Sequence, residues 1–177
     1  GSTGMTRVAQ APADGYMLGV GNLGTQAAAP SLYPDLKYDP ATSFQQISLI
    51  NHTPQAIVSK KTIPATDLKS FLAYLKENHA KLSYGHAGVG SVTHVAGLVF
   101  NARHDLKPAQ VAYRGTALVL NDLISGQIDY IVDQALNVIP QIQAGTIKAY
   151  AVAAPARLPS IPDVPTTKEA GDEFLFS

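Results

Sequence analysis

A glycine-rich turn is the first segment whose residue types suit ligand binding. It runs Gly85-His86-Ala87-Gly88-Val89-Gly90-Ser91 and stands between a predicted strand and a predicted helix. Glycines let a backbone approach a ligand closely, and free N–H groups at a helix start attract anions. The spacing matches neither the G-x-G-x-x-G of dinucleotide sites nor the G-K-[ST] of phosphate loops. On its own, the turn is as compatible with a purely structural role as with anion binding.

Three more segments follow predicted strands in the same way. Arg114, in the segment 113–116, can pair with a carboxylate through two hydrogen bonds, although a solvated surface arginine is the plainer interpretation. Asp133 can accept hydrogen bonds from a ligand or cap the following helix, and the last segment covers 22–26. The candidate ligand-binding residues are Asn22, Thr25, Gln26, Gly88, Val89, Gly90, Ser91, Arg114, Gly115, Thr116 and Asp133.

Catalytic and metal-binding patterns are missing from the sequence. It contains no cysteine, which excludes thiolate ligands and cysteine nucleophiles. No G-x-S-x-G, H-E-x-x-H or Ser-x-x-Lys pattern occurs. The histidines have no tight ligand spacing, and His94, in the first turn of a predicted helix, is better explained as a structural hydrogen-bonding residue. We therefore expect no enzyme activity, no metal and no cofactor.

Strand and helix signals alternate through the middle of the chain. This alternation is typical of βαβ units, so we predict an α/β fold with a mainly parallel sheet and helices on both faces. Ligands bind at the carboxyl ends of the strands in such sheets, so the four segments should line one cleft. The predicted strands are 82–84, 110–113, 128–132 and 147–153, and the predicted helices begin at Thr66, Ser91, Thr116 and Asn137.

Apolar spacing and capping residues define these helices further. Thr66 is the expected N-cap of the first, and Gly126 is a suitable residue just beyond the end of the third. In the second helix, an apolar face is predicted from Val92, Val95, Ala96 and Val99.

The two flanks of the chain differ from this central part. We predict one lobe over residues 58–150, flanked by two pieces of another lobe, 1–57 with a hinge segment and 151–177. The predicted elements of the flanks are a strand at 16–20, a helix at 26–29, a loop at 30–40, an extended segment at 44–59 and a short helix at 168–170.

Charge and hydropathy indicate which classes of partner to expect. The formal net charge of the 177 residues is +0, and Lys and Arg are scattered rather than clustered. Nucleic-acid binders usually carry a basic patch, so nucleic acid is not an expected partner. No apolar run reaches the roughly 18 residues that a membrane-spanning helix needs.

An ordered set of short motifs resembles a known family. Together these motifs cover nearly the whole chain, and they are similar to the Bug-type substrate-binding proteins of tripartite tricarboxylate transporters. The motifs are Ala13-Asp14-Gly15-Tyr16, Pro30-Ser31-Leu32-Tyr33, Tyr38-Asp39-Pro40, the strand Leu82-Ser83-Tyr84 with its glycine turn and His94, Tyr113-Arg114-Gly115-Thr116-Ala117, Gly126-Gln127-Ile128-Asp129, Pro162-Asp163-Val164-Pro165-Thr166 and Glu169-Ala170-Gly171.

The resemblance implies a type II periplasmic binding protein, in which a small organic carboxylate is captured between two lobes for the membrane permease subunits of a transporter. It also implies a first lobe that is incomplete here, because family members have a first strand and a closing loop ahead of Gly1. We accordingly expect this chain to dimerise or keep that lobe loosely ordered, and to bind carboxylates weakly or not at all. Two alternatives remain open: the effector-sensing domain of a LysR-type regulator, and an α/β enzyme such as a transferase.

Overall fold

A computed structural model describes residues 1–176 of the chain. Its strands form one five-stranded sheet with the order β3-β2-β4-β1-β5. The strands are β1 (Gln55–Lys60), β2 (Ser83–His86), β3 (Ala109–Ala112), β4 (Tyr130–Gln134) and β5 (Ile147–Val152). The helices are α1 (Ser2–Ala9), α2 (Ala29–Leu32), α3 (Leu68–Asn78), α4 (Val92–Arg103), α5 (Thr116–Ser125) and α6 (Ala135–Gln143), with a π-helical turn at Gly24–Ala28 and a 3₁₀ turn at His79–Lys81.

The direction of the strands confirms the α/β class and adds one exception. Strand β2 pairs in parallel with both β3 and β4. Strand β1 pairs antiparallel with β4 and with β5, so it alone runs opposite to the other four. A fully buried strand is a continuous apolar run, and such a run carries no signal of direction. The sheet begins at Gln55 and ends at Val152, while the division of the chain into lobes stays a prediction.

Helices cover both faces of this sheet, as predicted. On one face, Phe71 of α3 and Phe100 of α4 pack with Tyr84, Tyr130 and other sheet residues in a single buried cluster. On the other face, α5 and α6 pack against β1 and β4 in a second buried cluster. Burying apolar surface on both sides contributes roughly 25 cal/mol per Å², which makes these two layers the main source of stability.

The buried face of α4 differs from the predicted one. Val99 is 44 % exposed, whereas Ala96 and Phe100 are fully buried. The reason is Gly97, where any Cβ would overlap the ring of Tyr84. The missing side chain lets α4 lie directly on β2, and this close approach sets the rotation of the helix. Apolar spacing alone could not reveal this, since Gly97 is not an apolar anchor.

The start of α3 is also shifted by one residue. Asp67, and not Thr66, is the N-cap, and its Oδ1 accepts a hydrogen bond from the Ser70 amide at 2.7 Å. Ser70 Oγ in turn accepts from the Asp67 amide at 3.2 Å, which completes a reciprocal cap. In contrast, the predicted end of α5 is confirmed: Gly126 adopts a left-handed conformation with φ 84°.

Two predictions in the flanks are corrected and a third is confirmed. Residues 16–20 form no strand, because no neighbouring strand pairs with their backbone groups, and Tyr16 is 93 % exposed. Residues 168–170 form a turn rather than a helix, since so few residues cannot offset the cost of helix nucleation. Helical structure around 26–29 is confirmed but continues to Leu32, because Pro30 fits the first turn of α2.

Candidate functional site

Three of the four predicted segments lie at one edge of the sheet. The glycine turn follows β2, the segment 114–116 follows β3, and Asp133 lies at the end of β4. Because these strands are parallel, their carboxyl ends share that edge. A Cβ added to Gly88 would lie 3.3 Å from the Tyr113 carbonyl oxygen, so the first two segments are in contact.

The fourth segment, 22–26, overlaps the π-helical turn and contacts the glycine turn. A Cβ added to Gly24 would lie 2.6 Å from the carbonyl oxygen of Gly90 and 3.5 Å from Cα of Ser91. Asn22 and Thr25 stabilise this segment: the Asn22 amide donates to Thr25 Oγ1 at 3.0 Å, and the Thr25 amide donates to Asn22 Oδ1 at 3.1 Å. Asn22 and Thr25 therefore shape the turn, while Gly24 makes the close contact.

Two tyrosine hydroxyls, those of Tyr33 and Tyr38, donate hydrogen bonds to the two turns and stabilise their contact. Tyr33 donates its hydroxyl to the Val89 carbonyl at 3.0 Å, and Tyr38 donates to the Thr25 carbonyl at 2.6 Å. Gln26 Oε1 is buried without a hydrogen-bond partner among the described residues. Thus residues far apart in sequence hold the π-helical turn directly against the glycine turn.

The glycine turn itself has an unusual backbone that requires glycine at two positions. Gly88 and Gly90 have φ values of 120° and 76°, in a region that residues with a Cβ rarely adopt. Thr93 supports the turn from α4, because its Oγ1 accepts a hydrogen bond from the Ala87 amide at 2.9 Å. Val89, at the tip, is 56 % exposed.

Two histidine rings lie beside the turn. His86 Nδ1 accepts a hydrogen bond from the Gly88 amide at 3.3 Å, and His94 Nδ1 accepts one from the Gly90 amide at 3.2 Å. His94 Nε2 lies 3.3 Å from Gln110 Oε1. Both rings are buried, so His94 is a structural hydrogen-bonding residue, as its sequence position indicates. Burial lowers the pKa of His86, and the adjacent His94 ring acts in the same direction.

Helix α4 begins at this turn with a serine cap. Ser91 Oγ accepts a hydrogen bond from the His94 amide at 3.2 Å and lies 3.0 Å from Thr93 Oγ1. The first amides of a helix, here those of Val92 and Thr93, have no acceptor within the helix itself. Together with the helix dipole, such amides stabilise a negative charge that lies close to the helix start.

Asp133 is enclosed by the protein. It is 1 % exposed, and its Oδ1 accepts hydrogen bonds from the Gln134 amide at 2.7 Å and from Asn137 Nδ2 at 2.9 Å. Burial raises the pKa of Asp133, and hydrogen bonds from Asn137, Gln134 and Thr116 partly offset this. These partners belong to α5, to α6 and to its own strand, and Gln134 is also the N-cap of α6.

Arg114 is exposed, and no ion pair within residues 1–176 involves it. Gly115, with φ 140°, is the N-cap of α5, and Thr116, the first residue of α5, is half-buried. The sequence interpretation did not include Tyr33 in the site. Gly24 and His86 lie within the predicted segments and Thr93 follows the glycine turn, but none of the three is among the individually predicted ligand-binding residues. Thr93 could have been selected from its position two residues after a serine cap, but no local pattern shows that Tyr33 contacts the glycine turn.

The structure brings the four predicted segments to one edge of the sheet. The glycine turn contacts the segment 113–116 at Gly88 and the segment 22–26 at Gly90. Within residues 1–176, no group of three or more His, Cys, Asp or Glu side chains is arranged to hold a metal ion. No helix in this part of the chain is long and apolar enough to cross a membrane.

Comparison with known proteins assigns the family. Residues 1–175 match the family described as the tripartite tricarboxylate transporter family receptor. The chain belongs to this receptor family. A relative from Agrobacterium vitis, a UPF0065 protein encoded between ttuE and ttuC', is 37 % identical over 171 residues, which are 97 % of this chain and 49 % of the relative.

Several solved structures share the fold of this chain. MatC from Rhodopseudomonas palustris, solved with bound malate, is 39 % identical with a TM-score of 0.89, over 99 % of this chain and 60 % of its own. A second R. palustris protein, solved with adipate, is 30 % identical with a TM-score of 0.92, over 100 % of this chain and 59 % of its own. The periplasmic binding protein BugD is 36 % identical with a TM-score of 0.90, over 99 % of this chain and 58 % of its own. This receptor therefore has the fold of periplasmic binding proteins, and its chain spans about half the length of the curated relatives it matches.

Proposed function

We propose that this member of the tripartite tricarboxylate transporter receptor family captures a small organic carboxylate at the carboxyl edge of its sheet. The observation that carries the proposal is the contact between the π-helical turn and the glycine turn, with Gly24 against Gly90 at the start of α4. The similar proteins solved with malate and with adipate support the ligand class.

The chemistry of this edge suits a carboxylate. Negative charge is stabilised by the amides at the start of α4, and the hydroxyl of Ser91 can donate a hydrogen bond. Arg114 is exposed near the same edge and can form a bidentate pair with a ligand carboxylate. The carboxyl group of Asp133 is not available to repel a ligand carboxylate, because it is buried and already accepts hydrogen bonds from its own chain.

The cellular role proposed here follows from the family. As a receptor in the periplasm, the protein would deliver its ligand to the membrane permease subunits of a tripartite tricarboxylate-type transporter. Binding and release need no covalent step, so no catalytic group is required. We thus propose a small carboxylate as the ligand of the whole protein and the permease subunits as its partners.

A ligand titration with neutral analogues tests the proposal. The protein produced from the complete gene is titrated with malate and adipate, and with the uncharged diamides malamide and adipamide as controls. The acids should raise its melting temperature, and a ligand at 100 Kd adds about 2.7 kcal/mol of stability. The diamides have nearly the same shape but no charge and should give no shift. Equal stabilisation by acids and diamides, or none by any of a panel of carboxylates, would contradict the proposal.

A pair of serine variants tests the location. Ser91→Trp fills the space at the N-terminal end of α4 and should abolish the shift caused by the ligand. Ser125→Trp introduces the same ring at the exposed far end of α5 and should leave the shift intact. The 177-residue chain, titrated in parallel, shows whether these residues suffice for binding.

A further inference from the structure

We infer that His94 is a positioning residue for the ligand-binding turn: it clamps the peptide unit between Val89 and Gly90 and does so only in its neutral form. This inference rests on the proposed carboxylate site. The N–H of that peptide unit donates to His94 Nδ1 at 3.2 Å, and the C=O of the same unit accepts from the Tyr33 hydroxyl at 3.0 Å. One peptide plane is therefore held from both sides.

The clamp extends across the site. His94 Nε2 lies 3.3 Å from Gln110 Oε1, so a chain of hydrogen bonds runs from β3 through α4 and the glycine turn to Tyr33. Gln110 Oε1 can only accept, which puts the ring proton of neutral His94 on Nε2 and leaves Nδ1 as an acceptor. Both ring nitrogens then have the partners that this tautomer needs.

Protonation would break the clamp. A charged imidazole carries N–H on both nitrogens, so Nδ1–H of His94 would point at the Gly90 N–H. The peptide unit would lose its acceptor, and the turn would no longer be held in the conformation that lies against Gly24. Changing the pH is therefore a direct test of the clamp.

The observed contacts of the His94 ring are with a second histidine and with neutral groups. His86 of β2 lies against it with 4.3 Å between ring centroids, and a second positive charge there is unfavourable. Strand β3 contributes the neutral Gln110, and α4 contributes the Ser91 hydroxyl at the His94 amide. Tyr84 of β2 lies beyond His86, with 6.0 Å between their ring centroids, and the buried carboxyl of Asp133 in β4 acts on Tyr84. No ion pair in the described part of the chain involves either histidine.

His86 makes the same kind of hydrogen bond to the amide of Gly88, two residues before Gly90. Its Nδ1 accepts from the Gly88 N–H at 3.3 Å, so the two rings hold alternate amides of one turn. His94 differs because the peptide unit it holds is also bound by Tyr33. We therefore assign to His94 the larger effect on the shape of the turn.

Two substitutions of matched chemistry test this. His94→Asn puts an amide oxygen where Nδ1 lies, so it can accept from Gly90 but cannot be protonated. His94→Gln puts its amide near Nε2 and leaves the Gly90 N–H without an acceptor. The protein from the complete gene is used for all measurements, which are amide hydrogen exchange at Gly90, corrected for its intrinsic pH dependence, and the affinity for adipate between pH 5 and 8.

In the wild type, protection of Gly90 and adipate affinity should both fall as the pH drops, by about two- to tenfold for one lost hydrogen bond. In His94→Asn both should be nearly independent of pH, and in His94→Gln both should be low throughout. A pH dependence that persists in His94→Asn, or constant Gly90 protection in the wild type, would overturn the inference. Should adipate and the other carboxylates fail to bind at any pH, the proposed function fails, while the exchange data still decide the role of His94.

Tyr33→Phe keeps the test usable if the histidine variants do not fold. Tyr33 is 41 % exposed, so loss of its hydroxyl should leave the core intact. It should lower Gly90 protection at neutral pH without removing the pH dependence. Unchanged protection in this variant would show that the peptide unit is not clamped from both sides.

Discussion

Gly24 and Gly90 are in direct backbone contact, although 66 positions separate them: a Cβ on Gly24 would lie 2.6 Å from the Gly90 carbonyl oxygen. This contact joins the π-helical turn to the turn that precedes α4. Since the neighbouring atom is backbone and not a flexible side chain, a substitution at Gly24 must displace one of the two turns.

We therefore predict that Gly24→Ala weakens carboxylate binding. The added methyl group would push the glycine turn away from its position, and adipate affinity should fall by about tenfold, a free-energy change of about 1.4 kcal/mol. Isothermal titration calorimetry measures this. Gly4→Ala is the matched control, because nothing lies within 4 Å of that position in α1 and Ala is the better helix former. Equal affinities for the two variants would remove Gly24 from the site.

Gly97→Ala should destabilise the whole fold. The new methyl group would overlap the ring of Tyr84, so α4 must move away from β2. Overpacking of a well-packed core costs typically about 1–3 kcal/mol, which urea unfolding would show as a lower midpoint. Leu98→Ala, at a 39 % exposed position in the same helix, should cost less. A larger loss in Leu98→Ala would contradict this packing argument.

The N-cap hydrogen bond of Ser91 should contribute to stability independently of ligand binding. Ser91→Ala removes the acceptor for the His94 amide and should lower the free energy of unfolding by about 1 kcal/mol. Ser91→Thr retains a hydroxyl and should cost less. Thermal unfolding without ligand measures both. If the two variants were equally unstable, the loss would come from the turn and not from the cap.

Asp129 should make stability depend on pH in the acidic range. Its Oδ1 lies 2.6 Å from Lys60 Nζ, and its Oδ2 accepts from the Ser83 amide at 2.7 Å. Burial opposes ionisation of Asp129, but the hydrogen bonds from Lys60 and Ser83 outweigh it and lower the pKa. The contribution to stability is therefore complete above the ordinary Asp pKa of about 3.9 and is lost as the pH falls through the lower folded value.

Asp129→Asn should be less stable than the wild type by about 1–3 kcal/mol at pH 7, with a difference that shrinks below pH 4. Urea unfolding at pH 7, 5 and 3 gives the comparison. Asp163→Asn removes an exposed carboxylate and should be neutral. A constant difference between wild type and Asp129→Asn at every pH would rule out this ionisation as the cause.

Two extended apolar segments predict self-association of the 177-residue chain. Leu18, Ile47 and Ile50 are 71 %, 79 % and 73 % exposed, in segments whose backbone pairs with no strand of the described residues. Such surfaces favour association. Light scattering should show dimers or larger species, and Leu18→Lys with Ile50→Lys should reduce them. Leu136→Lys, at a 71 % exposed position of α6, is the control and should change little.

The sequence alone determined the alternation of strands and helices and the positions of the turns that follow β2, β3 and β4. It could do so because apolar periodicity, caps and glycines act over a few residues. Gly126 and Ser91 illustrate this, since a left-handed residue and a helix cap are local requirements that a short segment reveals.

Only the tertiary structure decided the direction of β1, the rotation of α4 and the partners of the glycine turn. Strand direction and the fit of Gly97 on Tyr84 depend on packing between distant segments, and apolar runs do not encode either. The clamp on the Val89–Gly90 peptide likewise needs Tyr33, His94 and Gln110 from three separate parts of the chain. No local pattern relates these residues, because the hydrogen bonds that unite them form only when the sheet and its helices have assembled.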